Sequence, residues 1–163
     1  MNVIQTGGEP FTSSSIVALA ADKPAFVVKS NVEDYLRECN VKFIDCGLYD
    51  NYLDSVAGAA AKIITGEAAY GIVFTYEADL ATAFANKLGK NIRAIMADNP
   101  TRVVLGRNEN NVNFCVLDLS TVGFGVAMES IWKFLTSGFS GGDYDRILRQ
   151  LEKEEENENS IRL

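Results

Sequence analysis

The sequence contains no histidine among its 163 residues. A Ser-His-Asp or Cys-His catalytic unit therefore cannot be assembled within this chain, because both use the imidazole as their base. The commonest ligand of transition metals is missing for the same reason. We expect neither a metal site nor a cofactor. Any acid–base chemistry must come from carboxylates, Lys, Tyr, Cys or a partner subunit.

Cysteine is also scarce, since the chain has only Cys39, Cys46 and Cys115. Three widely spaced cysteines predict free thiols in a reducing cytoplasm, and they argue against a disulfide framework or a zinc site. The first residues lack the pattern of a signal peptide, and no apolar run is long enough to cross a bilayer. We therefore expect a cytoplasmic protein that does not enter a membrane.

Positive charge is in the minority. The chain has 15 Lys and Arg residues against 22 Asp and Glu residues, a net charge of -7. This balance argues against a nucleic-acid partner and against an anionic membrane surface. Much of the negative charge lies in residues 152–158. That run predicts the solvated end of a helix and not a binding site.

The rest of the composition is typical of a globular protein. The chain is 47% hydrophobic and 23% charged, and its length suits one domain with a substantial core. Residues 1–14 show little periodic signal, and we expect them to form an N-terminal extension. We predict an α/β domain over residues 15–151 and an acidic C-terminal tail over residues 152–163.

Residues 70–87 are the most informative stretch of the chain. Residues 71–74 are apolar without alternation, which predicts a strand buried on both faces. An alanine-rich helix is predicted after the turn that runs from Thr75 to Asp79. Ligand sites of open parallel sheets lie past the carboxyl ends of the strands, where a helix start adds free N–H groups. This turn is the candidate site, and the alternative is an ordinary loop whose acids cap the helix.

Strands and helices alternate along the whole predicted domain. Strands are predicted at residues 15–20, 41–46, 71–74, 92–97 and 112–117. Helices are predicted at residues 25–39 and 53–64, then after the turn from Thr75 to Asp79 as far as about residue 87. Further helices are predicted at residues 100–105 and 125–135 and from residue 144 past residue 151. This pattern indicates a doubly wound αβα sandwich, Rossmann-like, around a five-stranded parallel sheet with right-handed crossovers. The expected strand order is 2-1-3-4-5.

Several short stretches match one known family in the same order along the chain. They are Asp22-Lys-Pro-Ala-Phe26 for the family's Asp-His-Ala-Gly-Phe, the run from Val32 to Gly47, Tyr49-Asp-Asn-Tyr52 for Tyr-Pro-Asp-Tyr, the run from Gly71 to Lys87, Ile92-Arg-Ala94, Arg107-Asn-Glu-Asn110-Asn-Val-Asn113 for Arg-Glu-His-Asn-x-Ala-Asn, and Phe139-Ser-Gly-Gly142 for Phe-x-Gly-Gly. On these stretches, residues 15–151 resemble the ribose-5-phosphate isomerase B / galactose-6-phosphate isomerase (LacA/LacB) family, as a divergent member.

The resemblance implies a reaction as well as a fold. The family interconverts aldose and ketose phosphates, and a base moves a proton between neighbouring sugar carbons through an enediolate. Backbone N–H groups of a Gly-rich loop stabilise the oxyanion. The family's sites are shared between two subunits of a dimer. The resemblance therefore implies a sugar phosphate as the small-molecule partner, and a homodimer or higher oligomer.

This chain departs from the family where the chemistry takes place. Thr75 stands where the family has a catalytic Cys, and Tyr76, Ala78 and Leu80 replace glycines of the same loop. Without those glycines, the backbone is less able to approach a substrate oxygen closely.

The family's two histidines and its last arginines are replaced as well. Glu109 stands for the ring-opening His, and Lys23 stands for the phosphate-binding His. Asp143 and Ile147 fall where the family has its last two arginines, with Arg146 close by. The residues that agree with the family are Asp22, Asn86, Lys87, Arg93, Arg107, Asn110 and Asn113.

The resemblance assigns a role to each candidate site residue. Asp79 is the predicted base and Glu77 is the alternative base, and Thr75 and Glu109 complete the catalytic candidates. Lys23, Arg107 and Arg146 are expected to bind the phosphate, and Glu109 and Asn110 are expected to face the ring oxygen. Asp22 and Tyr52 are the remaining substrate-binding candidates.

Two other functions stay open. The chain could be a non-catalytic or half-site subunit, because LacA-type chains also lack the Cys and pair with a LacB-type chain. Such a subunit would need a paralogous partner. Alternatively, it could bind or isomerise an unphosphorylated or differently charged sugar, since Asp143 would repel phosphate and could accept hydrogen bonds from hydroxyl groups.

Overall fold

The computed structural model describes residues 15–89 and 91–161. The predicted extension over residues 1–14 lies outside the described residues. The strands are β1 (Val17–Asp22), β2 (Phe43–Tyr49), β3 (Tyr70–Thr75), β4 (Ala94–Ala97) and β5 (Phe114–Asp118). The helices are α1 (Phe26–Glu38), α2 (Tyr52–Ile64), α3 (Ala78–Ala85), α4 (Pro100–Asn110), α5 (Phe124–Thr136) and α6 (Asp143–Ile161).

Every predicted strand and helix of the domain is present, and the differences lie at the ends. A short 3-10 turn over Lys23–Ala25 precedes α1. Helix α4 continues to Asn110, well past the predicted end at Leu105. Its last residue is followed by Asn111, which adopts the left-handed conformation that ends many helices. The start of α4 is as predicted, because the Asn99 side chain accepts from the N–H of Arg102 at 2.9 Å and Pro100 fills the first turn.

The five strands form one parallel sheet in the order β2-β1-β3-β5-β4. The predicted α/β sandwich with a parallel sheet is therefore confirmed, but the predicted order 2-1-3-4-5 is wrong at one edge. The chain passes over one position from β3 to β4 and then returns to insert β5 between them. Every residue of β5 is buried, whereas three of the four residues of β4 are half-buried. The strand that is buried along its whole length is therefore the one in the interior of the sheet, although β4 is the more apolar of the two.

The exposed edge of β4 is covered by one side chain. Asn86, just after α3, donates from its side-chain nitrogen to the carbonyl of Ala94 at 3.0 Å and accepts from the Ala94 N–H at 2.8 Å. Its amide thus takes the place of a neighbouring strand at that residue. An unpaired edge would otherwise be open to pairing with another chain.

The helices lie on both faces of the sheet, as right-handed crossovers require. Helices α2 and α3 cover one face, and α1, α4 and α5 cover the other. Alternation along β3 divides its side chains between the two cores. Ile72 and Phe74 pack on the α1 side, and Val73 packs on the α2 side.

Candidate functional site

Three polar side chains lie in one row at the carboxyl edge of the sheet. Asp22 ends β1, Thr75 ends β3 and Asp118 ends β5, and these strands are neighbours. Ala21 pairs with Phe74, and Thr75 pairs with Asp118. By the alternation of each strand, the three side chains point to the α2 face. All three are buried, and Asp22 and Asp118 are each only 6% exposed.

Asp22 and Thr75 are joined by a hydrogen bond. The Thr75 Oγ1 hydroxyl donates to Asp22 Oδ2 at 2.8 Å, and the N–H of Glu77 donates to the same Thr75 Oγ1 at 3.1 Å. The second carboxylate oxygen, Asp22 Oδ1, is buried and has no hydrogen-bond partner among the described residues. Asp22 stands at the N-cap position before the 3-10 turn, but its side chain makes no capping bond. Among the described residues, its side chain is bonded to Thr75.

Asp118 is a member of this row that the sequence analysis did not identify. Its carboxylate accepts from the Ser120 N–H at 3.1 Å, from Ser120 Oγ at 2.5 Å and from Thr121 Oγ1 at 2.6 Å. Burial alone would raise the pKa of Asp118, but these three donors outweigh it and lower the pKa below its usual value. Asp118 is therefore an anion at neutral pH. Asp118 lies beside Thr75 because β5 is the neighbour of β3 in the sheet, and the sequence alone does not show that pairing.

The turn after β3 leads into the N-terminus of α3, as predicted. Asp79 lies in the first turn of this helix, and both Glu77 and Asp79 are exposed. The Glu77 side chain makes no capping hydrogen bond. The positive end of the α3 dipole therefore faces the carboxyl edge without a side-chain cap. Tyr76 and Leu80, which stand at two of the family's glycine positions, are exposed beside it.

Two further predicted residues lie at the same edge. Lys23 follows Asp22 directly and forms an exposed ion pair with Asp50, after β2. Tyr52 opens α2 and packs, half-buried, against the core on the α2 face. The structure thus brings Asp22, Lys23 and Tyr52 near the turn from Thr75 to Asp79.

The other predicted site residues lie at the amino edge of the sheet. Helix α4 runs back from the carboxyl edge, so that Arg107, Glu109 and Asn110 at its end approach the start of β5. Arg146, in the first turns of α6, is exposed and pairs with Asp143 at 3.5 Å. Within one chain these residues are separated from Asp22 and Thr75 by the length of the sheet. One chain alone does not bring the two groups together.

Arg107 is buried, with only 2% of its surface exposed. Its Nε donates to the carbonyl of Ser137 at 3.1 Å, and its Nη1 donates to the carbonyl of Val112 at 2.5 Å. The guanidinium carbon lies 5.1 Å from the centre of the Tyr70 ring and 5.8 Å from that of Phe134. These contacts occupy the guanidinium inside the protein. We therefore assign Arg107 to the support of the fold and not to a phosphate.

Glu109 and Asn110 line a groove of about 410 Å³ along α4. Its apolar wall comes from Ile95 and Leu105, and Arg102 lies at its other end. Arg102 donates to Asp98 at 2.7 Å, so this cation is already paired.

The described part of the chain offers no group of three Cys, Asp or Glu side chains arranged to hold a metal ion. None of its helices combines the length and the apolar character needed to span a bilayer.

Comparisons with known proteins agree with this fold and cover nearly the whole domain. A family model described as Ribose/Galactose Isomerase matches residues 17–151. The chain is 26% identical over 150 residues to ribose-5-phosphate isomerase B of Escherichia coli, covering 88% of this chain and 98% of that protein. A ribose 5-phosphate isomerase structure from Thermotoga maritima matches with a TM-score of 0.80 and 28% identity, covering 86% of this chain and 99% of that one. The type B ribose 5-phosphate isomerase of Trypanosoma brucei gives a TM-score of 0.79 at 26% identity, covering 86% and 98%.

Proposed function

The chain belongs to the ribose/galactose isomerase family, and on that basis we propose that it interconverts an aldose and a ketose phosphate at the carboxyl edge of its sheet. The reaction proceeds through an enediolate and needs a base, together with donors aimed at the developing oxyanion. We also propose that it works in the cytoplasm. The three cysteines Cys39, Cys46 and Cys115 are all free thiols, in keeping with a reducing compartment.

The observation that carries this proposal is the buried row of Asp22, Thr75 and Asp118 beside the start of α3. Carboxylates accept from sugar hydroxyls, and a carboxylate can take a proton from carbon. The uncapped N-terminus of α3 supplies N–H groups and a positive dipole end for the oxyanion. The base is a carboxylate of this edge, and Asp79 and Glu77 are the candidates that the sequence predicts.

We propose that a complete site needs a second subunit. Glu109, Asn110 and Arg146 lie at the amino edge, so they can meet Asp22 and Lys23 only across an interface. The arrangement would give each site the carboxyl edge of one subunit and the end of α4 of another. A homodimer or higher oligomer is the simplest assembly of this kind.

A half-site subunit is a second candidate, and one observation favours it. At the carboxyl edge, the described cations Lys23 and Arg102 are both paired with carboxylates of their own chain, Asp50 and Asp98. A phosphate would have to displace these partners or find its cations on a paralogous subunit. The chain would then contribute only part of the site.

Solvent isotope exchange tests the proposed function. The full chain is incubated in deuterated water with pentose and hexose phosphates, and deuterium at the substrate carbon next to the carbonyl is followed by NMR. We expect incorporation with at least one of these sugars, because an enediolate exchanges its proton with solvent. A parallel preparation of Asp34→Asn, an exposed change on α1, should match the parent. Absence of exchange with every sugar, both alone and mixed with a LacB-type partner, would overturn isomerase activity.

A further inference from the structure

We propose that Asp22 is the base that moves the proton, in place of the exposed carboxylates of the turn after β3, and that Thr75 positions it. This inference rests on the proposed isomerase function. Among the carboxylates that the structure describes at this edge, Asp22 alone combines burial, a hydrogen bond that fixes its orientation, and an acceptor oxygen without a donor.

The direction of the hydrogen bonds fixes the orientation of Asp22. The N–H of Glu77 donates to Thr75 Oγ1, so it occupies a lone pair of that hydroxyl. The hydroxyl proton then points to Asp22 Oδ2, 2.8 Å away. Thr75 is fully buried, which keeps this short chain of hydrogen bonds out of competition with water. Asp22 therefore receives a hydrogen bond at Oδ2, and Oδ1 remains as the acceptor.

The free oxygen of Asp22 has no donor among the described residues, and this is costly inside a protein. A buried acceptor without a partner has lost the hydrogen bonds that water would give it, and the cost is larger when the acceptor carries charge. A catalytic role is one explanation for such a group, and Asp22 is the one charged side chain among the three with a buried unpartnered oxygen in the described part of the chain, the others being Asn108 and Ser130. Asp22 lies at the carboxyl end of β1 and is bonded to Thr75, at the edge where we propose that the substrate binds, so a substrate could supply the missing donor.

The rival carboxylates lack these features. Glu77 and Asp79 are exposed to water, and the Glu77 side chain makes no capping bond that would fix it. An exposed carboxylate must be both oriented and desolvated by the substrate before it can act. Asp118 is buried, but Ser120 and Thr121 already donate to both of its oxygens. Asp22 alone in this group has a fixed carboxylate with one oxygen unused.

The proton transfer needs no other reactant, and water only relays a proton between the two substrate oxygens. Asp22 Oδ1 takes the proton from the carbon next to the carbonyl. The pair of the broken C–H bond forms the carbon–carbon double bond, and the carbonyl π pair moves to oxygen to give the enediolate. Asp22 returns the proton to the former carbonyl carbon, while a hydroxyl proton passes between the two oxygens through water. The carboxylate is regenerated, and Thr75 remains bonded to Oδ2 throughout.

Matched variants of the full chain separate the two assignments. We expect Asp22→Asn to lower turnover and isotope exchange by about a hundredfold or more, because it removes the base but keeps its shape and its bond from Thr75. Asp79→Asn and Glu77→Gln should each cost about threefold or less. The control Asp34→Asn should equal the parent, and circular dichroism should show each variant folded. A hundredfold loss in Asp79→Asn, with Asp22→Asn still active, would overturn the inference.

Thr75 variants keep the inference testable if Asp22→Asn does not fold. Thr75→Val deletes the donor at nearly constant shape, so kcat should fall about tenfold while KM changes little, because Asp22 loses the hydrogen bond that orients it. Thr75→Ser restores the donor and should restore kcat. An unchanged kcat in Thr75→Val contradicts the positioning role. A parent that exchanges no isotope contradicts the proposed function instead, so the two failures are distinct.

Discussion

At the residue scale, Arg107 occupies the interior at the end of α4. Its sequence position matches a family motif, and an arginine is a natural ligand for phosphate. In the structure its donors go to the carbonyls of Ser137 and Val112, and the Tyr70 hydroxyl lies within 3.4 Å of its Nη2. The guanidinium thus ties together the ends of α4 and α5 and the start of β5. Its loss would leave buried carbonyl groups without donors.

We predict that Arg107→Met lowers the free energy of unfolding by about 3 kcal/mol, because two buried carbonyl oxygens lose their partners. Chemical denaturation followed by circular dichroism measures this change. Arg102→Met on the same helix is the control. Arg102 is half-exposed and makes a surface pair with Asp98, so its loss should cost about 1 kcal/mol or less. Equal stability of the two variants would argue against the structural role of Arg107.

At the element scale, a group of three charged side chains joins α1 to β2. Lys29 Nζ donates to Glu33 Oε1 and to Asp45 Oδ1, each at 2.6 Å. Burial alone would lower the pKa of Lys29, but the bonds to Asp45 and Glu33 outweigh it and raise the pKa. Burial would also raise the pKa of Asp45, but the Lys29 ammonium and the N–H of Gly47 lower it. Lys29 and Glu33 are buried, so neither charge can lose its partner without cost.

We predict that Lys29→Met lowers the free energy of unfolding by about 3 kcal/mol at neutral pH, because it leaves Glu33 buried without a cation. Lys62→Met, which removes the surface pair with Glu67, should cost about 1 kcal/mol or less. Denaturant titrations of both variants and the parent provide the comparison.

The stability difference between the parent and Lys29→Met should depend on pH, and its direction follows from the pKa shifts of Asp45 and Lys29. The folded pKa of Asp45 lies below its unfolded value, so its contribution is present above about pH 4 and is lost as the pH falls through the folded pKa. The folded pKa of Lys29 lies above its unfolded value, so its contribution is present below about pH 10 and is lost as the pH rises through the folded pKa. The gap between parent and Lys29→Met should therefore be widest near neutrality. A gap that widens in acid would contradict the ion-pair explanation.

At the scale of the whole molecule, α6 carries an apolar face that the described part of the chain leaves exposed. Tyr144, Ile147 and Leu151 are 40%, 50% and 57% exposed on this helix. Their spacing puts them on one side of the helix. The resemblance implies that the last helices of this family pack on a partner. An uncovered apolar face of this kind fits an interface between subunits.

We predict a dimer at micromolar concentration, with α6 in the interface. Ile147→Asp should raise the dissociation constant of the dimer at least about tenfold, because it buries an unpaired charge. Gln150→Asp adds the same charge outside the apolar face and should leave the dimer intact. Sedimentation velocity of the three proteins gives the result. A monomeric parent would contradict both the dimer and any site shared between subunits.

The elements of this fold could be read from the sequence because their signals are local. Continuous apolar runs indicate the buried strands, and Asn99-Pro100 marks the start of α4. The turn from Thr75 to Asp79 is visible as the end of a buried strand before a helix. The order of the strands could not be predicted from local signals, because strands that are neighbours in a sheet are distant in sequence. The composition of β5 does not reveal that it inserts between β3 and β4.

The amino-acid sequence by itself determined the α/β class, the family, and the exclusion of any histidine chemistry within the chain. These follow from periodicity, motif order and composition, which need no knowledge of distant contacts. Only the tertiary structure decided that Asp118 joins Thr75 at the carboxyl edge, that Asp22 bonds to Thr75 and does not cap a helix, and that Arg107 is buried. Each of these depends on which strands are neighbours and on which face a side chain points to, and packing of the whole chain sets both.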